Sequence, residues 1–417
     1  MSLINISKNT GELLLTHIGR YLHDYRAHTS LERSFGYTDI HHLWLISLAI
    51  EFFEGKEQRD CFHQGSLILK NIKTFVEEST NNWPGFFDGL AEISFIVNHF
   101  CKTTGCYEKF SSAIYSHFLM TSNLYVDFCF KNANELRFFH YDTVSGLSGI
   151  GYYILLNYKK TDIEDALLRK IIDYMCQLIE VGSNNLPNWH IKAKNQATTE
   201  DVLYFPLGHL NFSMSHGITG PLSFLTAAYN AGFNAGFKDS HLINSLQIFL
   251  NTIESHAQIV GDLAYWPTKV SPADYILGKC GSVENYSWCY GMPSILRICE
   301  SANKAQKNQR KAKEISKLFD ILMERSQRIV FPGDSSNIVC HGYTGLICTL
   351  LSHQTECPSL INEKRILDLY NRVIQSGTFF YNSSGRNTFL EGIVGELIVL
   401  LSIYKNDISA IQHLMLV

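Results

Sequence analysis

The sequence lacks the features that mark secreted, membrane-spanning and nucleic-acid-binding proteins. Its 417 residues include 11 cysteines, an odd number with no C-x-x-C pair, which indicates reduced thiols rather than a disulfide framework. No apolar run approaches the roughly 18 residues of a membrane span, and the first residues do not resemble a signal peptide. The net charge is only -4, without a basic stripe. These absences predict a cytoplasmic protein that binds no nucleic acid.

Glycine, in contrast, is placed in a repeating pattern. Four segments share a glycine, two further residues, a second glycine and then an apolar run, and they begin at Gly146, Gly217, Gly342 and Gly392. Three degenerate copies begin at Gly36, Gly89 and Gly291. Successive copies are 50–57 residues apart, except for two intervals of 71 and 74 residues. Since about 50 residues hold two helices with their connections, each copy is expected to open one helical hairpin.

The segments between the glycine motifs carry the pattern of amphipathic helices. After the capping residues Thr161 and Asp162, one apolar stripe follows at helical spacing, formed by Ile163, Leu167, Ile171, Met175 and Leu178. A second such stripe contains Ile315, Phe319 and Leu322. The motif helices are apolar on most faces. Inner helices buried all round and outer helices buried on one side predict an all-α protein, an α/α toroid of about seven hairpin repeats.

Two intervals exceed the repeat length, and both lack the helical period. We predict a β-rich insertion at residues 182–210 and a strand-and-loop segment in the sequence that starts at Ile259. Both would belong to a single domain that spans residues 1–417.

Residues that precede the motif glycines should meet at one end of a repeat barrel. They are Ser145, His216, Tyr290, His341 and Glu391, with Cys289 and Cys340 one step further back. Two cysteines and a histidine form a zinc-binding set that leaves a fourth position open. Cys340 and His341 are adjacent, so they can bind one ion together only on a turn. The alternative is that these residues are buried cysteines and a capping histidine.

Three of the motifs carry a family resemblance. "SHGITG", "WCYGMP" and "CHGYTG", in this order, resemble the lanthipeptide cyclases (LanC family), which close thioether rings in lantibiotics. The resemblance extends from Gly36 to Gly392. It implies an α/α toroid with a small SH2-like β insertion, and one zinc ion bound by Cys289, Cys340 and His341.

The resemblance also implies the catalytic residues. The catalytic histidine of the family matches His216, and its functional aspartate matches Asp142. A zinc-bound substrate cysteine would add to dehydroalanine or dehydrobutyrine in the same peptide. A histidine with an ordinary pKa near 6.5 is suited to protonate the enolate, with Asp142 as its orienting partner. Tyr290 is expected to line the site or to relay a proton. Alternatively, His216 and Asp142 are only helix caps.

The sequence departs from the family pattern at two positions: Asn285 replaces an arginine of the nisin-type relatives, and Ser294 replaces the second motif glycine. The partner implied by the resemblance is a dehydrated lantibiotic precursor peptide. A dehydratase and an ABC transporter are further expected partners, in a membrane-associated complex.

Other classes of protein remain as alternatives at this point. A glutathione-adding LanC-like protein would share the zinc ligands and His216. A prenyltransferase-like thiol transferase would need an Asp-Cys-His zinc set, and a non-catalytic peptide-binding scaffold would need no intact ligand set. An α/α-barrel glycosidase would need paired carboxylates, for which only Asp39, Asp142 and Glu391 are candidates.

Overall fold

The structure is a computed structural model. It describes residues 4–28, 36–79, 82–182, 185–233, 240–279, 281, 284–326, 328–331, 336–376, 379, 387–408 and 411. The chain divides into two compact units. The first comprises Met1–Asn82, Glu92–Ser116 and Ile329–Met415, and the second comprises Trp83–Ala91, His117–Arg328 and Leu416–Val417.

Helices dominate the described residues. In chain order they are α1 (Lys8–His28), α2 (Thr38–Ala49), α3 (Gly55–Glu78), α4 (Leu90–Thr104), α5 (Glu108–Lys131), α6 (Leu147–Leu156), α7 (Asp162–Leu178), α8 (Thr199–Tyr204), α9 (Thr219–Ala228), α10 (Ser240–Ser255), α11 (Pro272–Leu277), α12 (Met292–Ala305), α13 (Gln309–Ser326), α14 (Tyr343–Glu356), α15 (Leu360–Ser376) and α16 (Ile393–Tyr404). Short 3-10 turns lie at Ile50–Phe52, Ala133–Glu135, Phe138–His140 and Ala193–Asn195, and a π turn lies at Tyr229–Phe233. None of the described helices is long and apolar enough to cross a membrane.

Each of the seven motif glycines stands just before a helix. The helices that follow them are α2, α4, α6, α9, α12, α14 and α16. These helices are buried on nearly all faces: in α2, for example, every residue after Thr38 is buried. In the first unit α2 packs against α16, and in the second unit α9 packs against both α6 and α12. The seven predicted helix starts are confirmed.

The helices between the motifs bury one face only. Helix α7 begins with a capping box in which Thr161 accepts from the backbone N–H of Glu164. Along the predicted stripe Leu167, Ile171, Met175 and Leu178 are buried. Ile163 is 66% exposed, so its assignment to the stripe was wrong. The stripe of α13 is buried as predicted, at Ile315, Phe319 and Leu322.

Strands are few and short. β1 (Leu210–Asn211) pairs with β4 (Lys269–Val270), and β2 (Gln258–Val260) forms a hairpin with β3 (Leu263–Tyr265), all antiparallel. The hairpin confirms the strand-and-loop segment predicted after α10. In segment 182–210, residues 183 and 184 lie outside the described ranges. Isolated bridges join Val181 to Pro187 and Ile191 to His209. Helix α8 lies between Ile191 and His209. That this segment is a separable β-rich insertion stays a prediction.

The turn before each motif helix brings the motif glycine against its own preceding backbone. We call the residues from six before each motif glycine to that glycine a motif loop. A Cβ at Gly146 would lie 2.4 Å from the backbone nitrogen of Asp142, four residues earlier. The same approach, to the backbone nitrogen four residues earlier, recurs at Gly89, Gly217, Gly291 and Gly342. Only glycine tolerates backbone at this distance.

The motif loops of the second unit are joined side by side by backbone hydrogen bonds. The N–H of Phe86 donates to the carbonyl of Val144 at 2.9 Å. In the same way Thr143 donates to Ser215 and Met214 donates to Cys289. Each bond joins the third residue before one motif glycine to the second residue before the next. The register of these loops therefore determines which of their side chains are neighbours.

The second glycine of the motif is also packed against backbone, which gives a test of the turn. A Cβ at Gly395 would lie 1.8 Å from the carbonyl oxygen of Phe389. Gly395→Ala should therefore lower the free energy of unfolding by about 1–3 kcal/mol in urea denaturation, as overpacking typically does. The control is Gly281→Ala, since a Cβ at Gly281 meets nothing within 4 Å. Equal unfolding midpoints for the two variants would contradict the account of the turn.

A buried carboxyl in α16 should make stability depend on pH. Burial raises the pKa of Glu396 from 4.5 to about 8. Between these values the unfolded chain releases a proton that the folded chain keeps, so stability falls as pH rises. Relative to wild type, Glu396→Gln should gain about 1.4 kcal/mol of unfolding free energy per pH unit in this window. Below about pH 4.5 the difference should be constant. Urea denaturation across pH 4–8 measures it, and a pH-independent difference would contradict the burial effect.

Candidate functional site

A histidine and a buried aspartate from neighbouring motif loops form the centre of the candidate site in the second unit. Nδ1 of His216 lies 2.5 Å from Oδ2 of Asp142. Asp142 is fully buried, whereas the His216 side chain is 30% exposed. A carboxylate can only accept, so Nδ1 of His216 carries the hydrogen of this bond. The opposite nitrogen, Nε2, is left to exchange a proton with a bound molecule.

The second oxygen of Asp142 holds the carboxylate in place. Oδ1 accepts from the backbone N–H groups of Ser145 at 2.8 Å and Gly146 at 2.6 Å. Asp142 thus caps the turn before α6 with one oxygen and contacts His216 with the other. The two interpretations of Asp142, as a cap and as the partner of His216, are compatible because each uses a different oxygen.

The backbone and aromatic neighbours of His216 fix the position of its ring. Its N–H donates to Oγ of Ser213 at 3.2 Å, and its carbonyl accepts from the hydroxyl of Tyr141 at 3.3 Å. The ring of Phe138 lies edge-on, with centroids 4.8 Å apart. The ring of Tyr290, from the next motif loop, lies 6.1 Å away. Tyr290 therefore lies beside His216, as the repeat register predicts, while its chemical role stays a prediction.

Cys289 lies on the same motif loop as Tyr290. Its carbonyl accepts from the N–H groups of Met214 and Ser215, and its Sγ lies 3.6 Å from Oγ of Ser287. Because Met214 and Ser215 belong to the loop that carries His216, the loop of Cys289 and the loop of His216 are directly bonded in the second unit. Cys289 is 5% exposed.

Cys340 and His341 lie together in the first unit, on the turn that precedes α14. The N–H of Cys340 donates to the carbonyl of Leu390 at 2.8 Å, and that of Gly342 donates to Ile338 at 2.9 Å. Sγ of Cys340 and a ring nitrogen of His341 lie within 4.8 Å of one another, so the two can bind the same ion. Cys340 is partly exposed and His341 is exposed. That Cys289 completes their ligand set stays a prediction.

Several other cysteines have the environment of core residues. Burial raises the pKa of the Cys129 thiol to about 12 and that of the Cys176 thiol to about 11. It also raises the pKa of Cys299 and Cys348 well above the ordinary value. All four are fully or almost fully buried among core side chains, which indicates a packing role.

A cavity of about 160 Å³ opens beside His216 in the second unit. Two of the residues that line it, His216 and Tyr290, were predicted from the motif pattern. The others were not: Phe138, Ile191, Ala197, Thr198, Asp201, His209, Asn211 and Lys269. Five of them lie in segment 182–210, and Lys269 lies on β4. These six come from the two segments that exceed the repeat length. The only available signal in the sequence was that excess length, which does not name a residue.

Asn285 and Ser294 depart from the family pattern, and the structure shows a local role for Asn285. Oδ1 of Asn285 accepts from the N–H of Ser287 at 2.8 Å, and its carbonyl accepts from Met292. Asn211 makes the equivalent bond to Ser213 in the preceding motif loop. Asn285 therefore shapes the loop that carries Cys289 and Tyr290. Ser294 is fully buried in the first turn of α12.

Comparisons with known proteins identify the family and the fold of the chain. The family model for lanthionine synthetase C-like proteins matches residues 46–416. Nisin biosynthesis protein NisC of Lactococcus lactis subsp. lactis is 27% identical over 299 residues, which are 69% of this chain and 68% of that protein. The solved structure of a nisin cyclase superposes with a TM-score of 0.79 at 20% identity, covering 98% of each chain. This likeness confirms the predicted all-α, α/α toroid fold. Because the family model spans most of the sequence, the chain belongs to the lanthionine synthetase C-like protein family.

Proposed function

We propose that this protein is a zinc-dependent lanthionine cyclase. It would catalyse the Michael-type addition of cysteine thiols to dehydroalanine or dehydrobutyrine within a lantibiotic precursor peptide. The observation that carries the proposal is the bonded pair of His216 and Asp142 at the mouth of a cavity, in a chain of this family. A non-catalytic scaffold would not need a partly exposed histidine bonded to a buried carboxylate.

The donor set of the motif loops fits zinc. Thiolate and imidazole are the ligands that zinc prefers, and three protein ligands are typical of a catalytic site with one open position. We propose Cys289, Cys340 and His341 as the ligands. The turn that places Cys340 beside His341 supports the part of this set that lies within one unit. When bound, zinc would supply a Lewis acid that lowers the pKa of the substrate thiol.

Residues of the chain would then carry out the proton transfer. As sulfur adds to the β-carbon, the π electrons of the double bond move towards the carbonyl and form an enolate. His216 donates the hydrogen on Nε2 to the α-carbon, and Asp142 stabilises the imidazolium through Nδ1–H. The proton released from the substrate thiol balances the one delivered to carbon. Tyr290 would line this site beside His216, or relay the proton.

The proposed substrate is a dehydrated precursor peptide, and the proposed location is the cytoplasm. A complex with a dehydratase and an ABC transporter at the membrane is part of the same proposal. The curated relative's name, a nisin biosynthesis protein, supports a lantibiotic substrate, and the family match supports the cyclase class over the glycosidase and prenyltransferase-like alternatives.

Zinc content tests the ligand set. Purified protein should hold about one equivalent of zinc by elemental analysis, since the set describes a single site. Cys340→Ala should lose most of it because a thiolate ligand is gone. The matched control is Cys348→Ala, which removes a fully buried thiol from the following helix α14 and should keep its zinc. Full retention of zinc in Cys340→Ala would remove Cys340 from the site.

A second pair of variants separates proton transfer from metal binding. His216→Asn should keep zinc while the rate of cyclisation falls by about 10²–10⁴, the usual contribution of general acid catalysis. His341→Asn should lose zinc and activity together. Because cyclisation leaves the mass unchanged, free thiols of a dehydrated precursor are counted by alkylation and mass spectrometry. If His216→Asn cyclises at nearly the wild-type rate, His216 only caps the turn. If it loses zinc, His216 is a ligand and the mechanism is wrong.

A further inference from the structure

The wall of the cavity beside His216 includes the ammonium group of Lys269, which has no role in the mechanism proposed so far. We infer that Lys269 is a further substrate-contacting residue, whose ammonium donates to the carbonyl oxygen of the dehydroamino acid while His216 protonates the adjacent carbon. This inference rests on the proposed function and assigns the charge stabilisation in that reaction to a named side chain.

Lys269 is held in the cavity wall by a nearly buried carboxylate. Its Nζ lies 2.5 Å from Oδ1 of Asp201, and the two side chains are 20% and 9% exposed. Asp201 is fixed in turn by α8, where its N–H donates to Oγ1 of Thr198 at 3.0 Å. β4, which carries Lys269, is paired with β1, so that Lys269 lies opposite Asn211 on the motif loop of His216. The ammonium therefore has a defined place relative to that loop.

Among the described residues that line the cavity, Lys269 is the one that carries a permanent positive charge. His209 also lines the cavity, but burial first, and then the neighbouring Lys269, lower its pKa to about 4. His209 is therefore neutral at the pH of the reaction. Asp201 uses one oxygen on Lys269, and an ammonium has three N–H donors. The ammonium therefore has N–H donors beyond the one bonded to Asp201, and a carbonyl oxygen in the cavity could accept from one of them.

The size of the cavity selects the kind of group that it can accept. Its volume is about 160 Å³, and one water takes about 30 Å³ of the liquid. The cavity thus has room for a group of a few heavy atoms, such as one peptide unit. A peptide carbonyl beside the reacting carbon has the required size and accepts hydrogen bonds without bringing a charge of its own.

The chemistry calls for a positive group at this oxygen. When the sulfur–carbon bond forms, the electron pair of the carbon–carbon double bond moves onto the enolate, and much of the charge resides on the carbonyl oxygen. The proton from His216 then goes to the α-carbon, and the carbon–oxygen double bond is restored. A fixed cation at the oxygen stabilises the enolate more than the neutral substrate, which is the condition for accelerating the reaction.

Steady-state cyclisation of a dehydrated precursor tests the inference, after wild-type activity has been established. Lys269→Met should retain zinc and fold while kcat falls by about 10²–10³, as on loss of one oxyanion donor, with KM changed less than threefold. Lys269→Arg should recover at least a tenth of wild-type kcat because it keeps the charge. Asp201→Asn removes a positioning residue and should lower kcat by a smaller factor than Lys269→Met. The matched control is Lys279→Met, at an exposed position after α11, which should behave as wild type.

Each other outcome contradicts the inference. Wild-type kcat in Lys269→Met would show that Lys269 does not act on the reaction. A rise in KM with unchanged kcat would make the cavity a binding subsite without charge stabilisation. If circular dichroism shows that Lys269→Met does not fold, the comparison of Lys269→Arg with Lys269→Gln tests the role of the charge. Equal kcat values for these two variants would overturn that role. A wild-type protein that does not cyclise the precursor would overturn the proposed function itself, and this inference with it.

Discussion

The close approach of motif glycines to the backbone four residues earlier is the constraint on which the rest of the structure depends. It is found at Gly89, Gly146, Gly217, Gly291 and Gly342, where an ideal Cβ would lie 2.3–2.7 Å from the backbone nitrogen of the residue four positions earlier. Each glycine ends a tight loop and begins a helix that is buried on most faces. A side chain at any of these positions would open the loop and move the residues just before it.

The loop also explains why so few positions carry the candidate chemistry. In four motif loops the side chain four residues before the glycine accepts a hydrogen bond from the backbone N–H of the residue that directly precedes the glycine. The pairs are Asp142 with Ser145, Ser213 with His216, Ser287 with Tyr290, and Thr388 with Glu391. The residue just before the glycine is thereby held in one orientation. Lateral backbone bonds in the second unit then align these positions. The same backbone arrangement can present an imidazole, a phenol or a carboxyl group, according to the residue that occupies the position.

Periodicity made the repeated part of this molecule predictable. The glycine spacing predicted all seven helix starts, and the repeat register predicted that Tyr290 lies beside His216. The partnership of Asp142 with His216 came from the family resemblance. Ile163 was misassigned because the apolar spacing continued into the first turn, where the side chain faces solvent. Asp201 and Lys269 were missed for a different reason: they lie in the long intervals, and they meet through a short helix and a two-residue strand pairing. Such long-range contacts leave no local pattern in a sequence.

The central claim is that one zinc ion is bound by Cys289, Cys340 and His341, and the ligand shell of the metal can be measured directly. X-ray absorption at the zinc K-edge of the purified protein should show two sulfur ligands at about 2.3 Å and one imidazole nitrogen at about 2.0–2.1 Å. Two sulfur ligands are the number that Cys289 and Cys340 would supply together. A shell of one sulfur or none, or of four sulfurs, would contradict the proposed site.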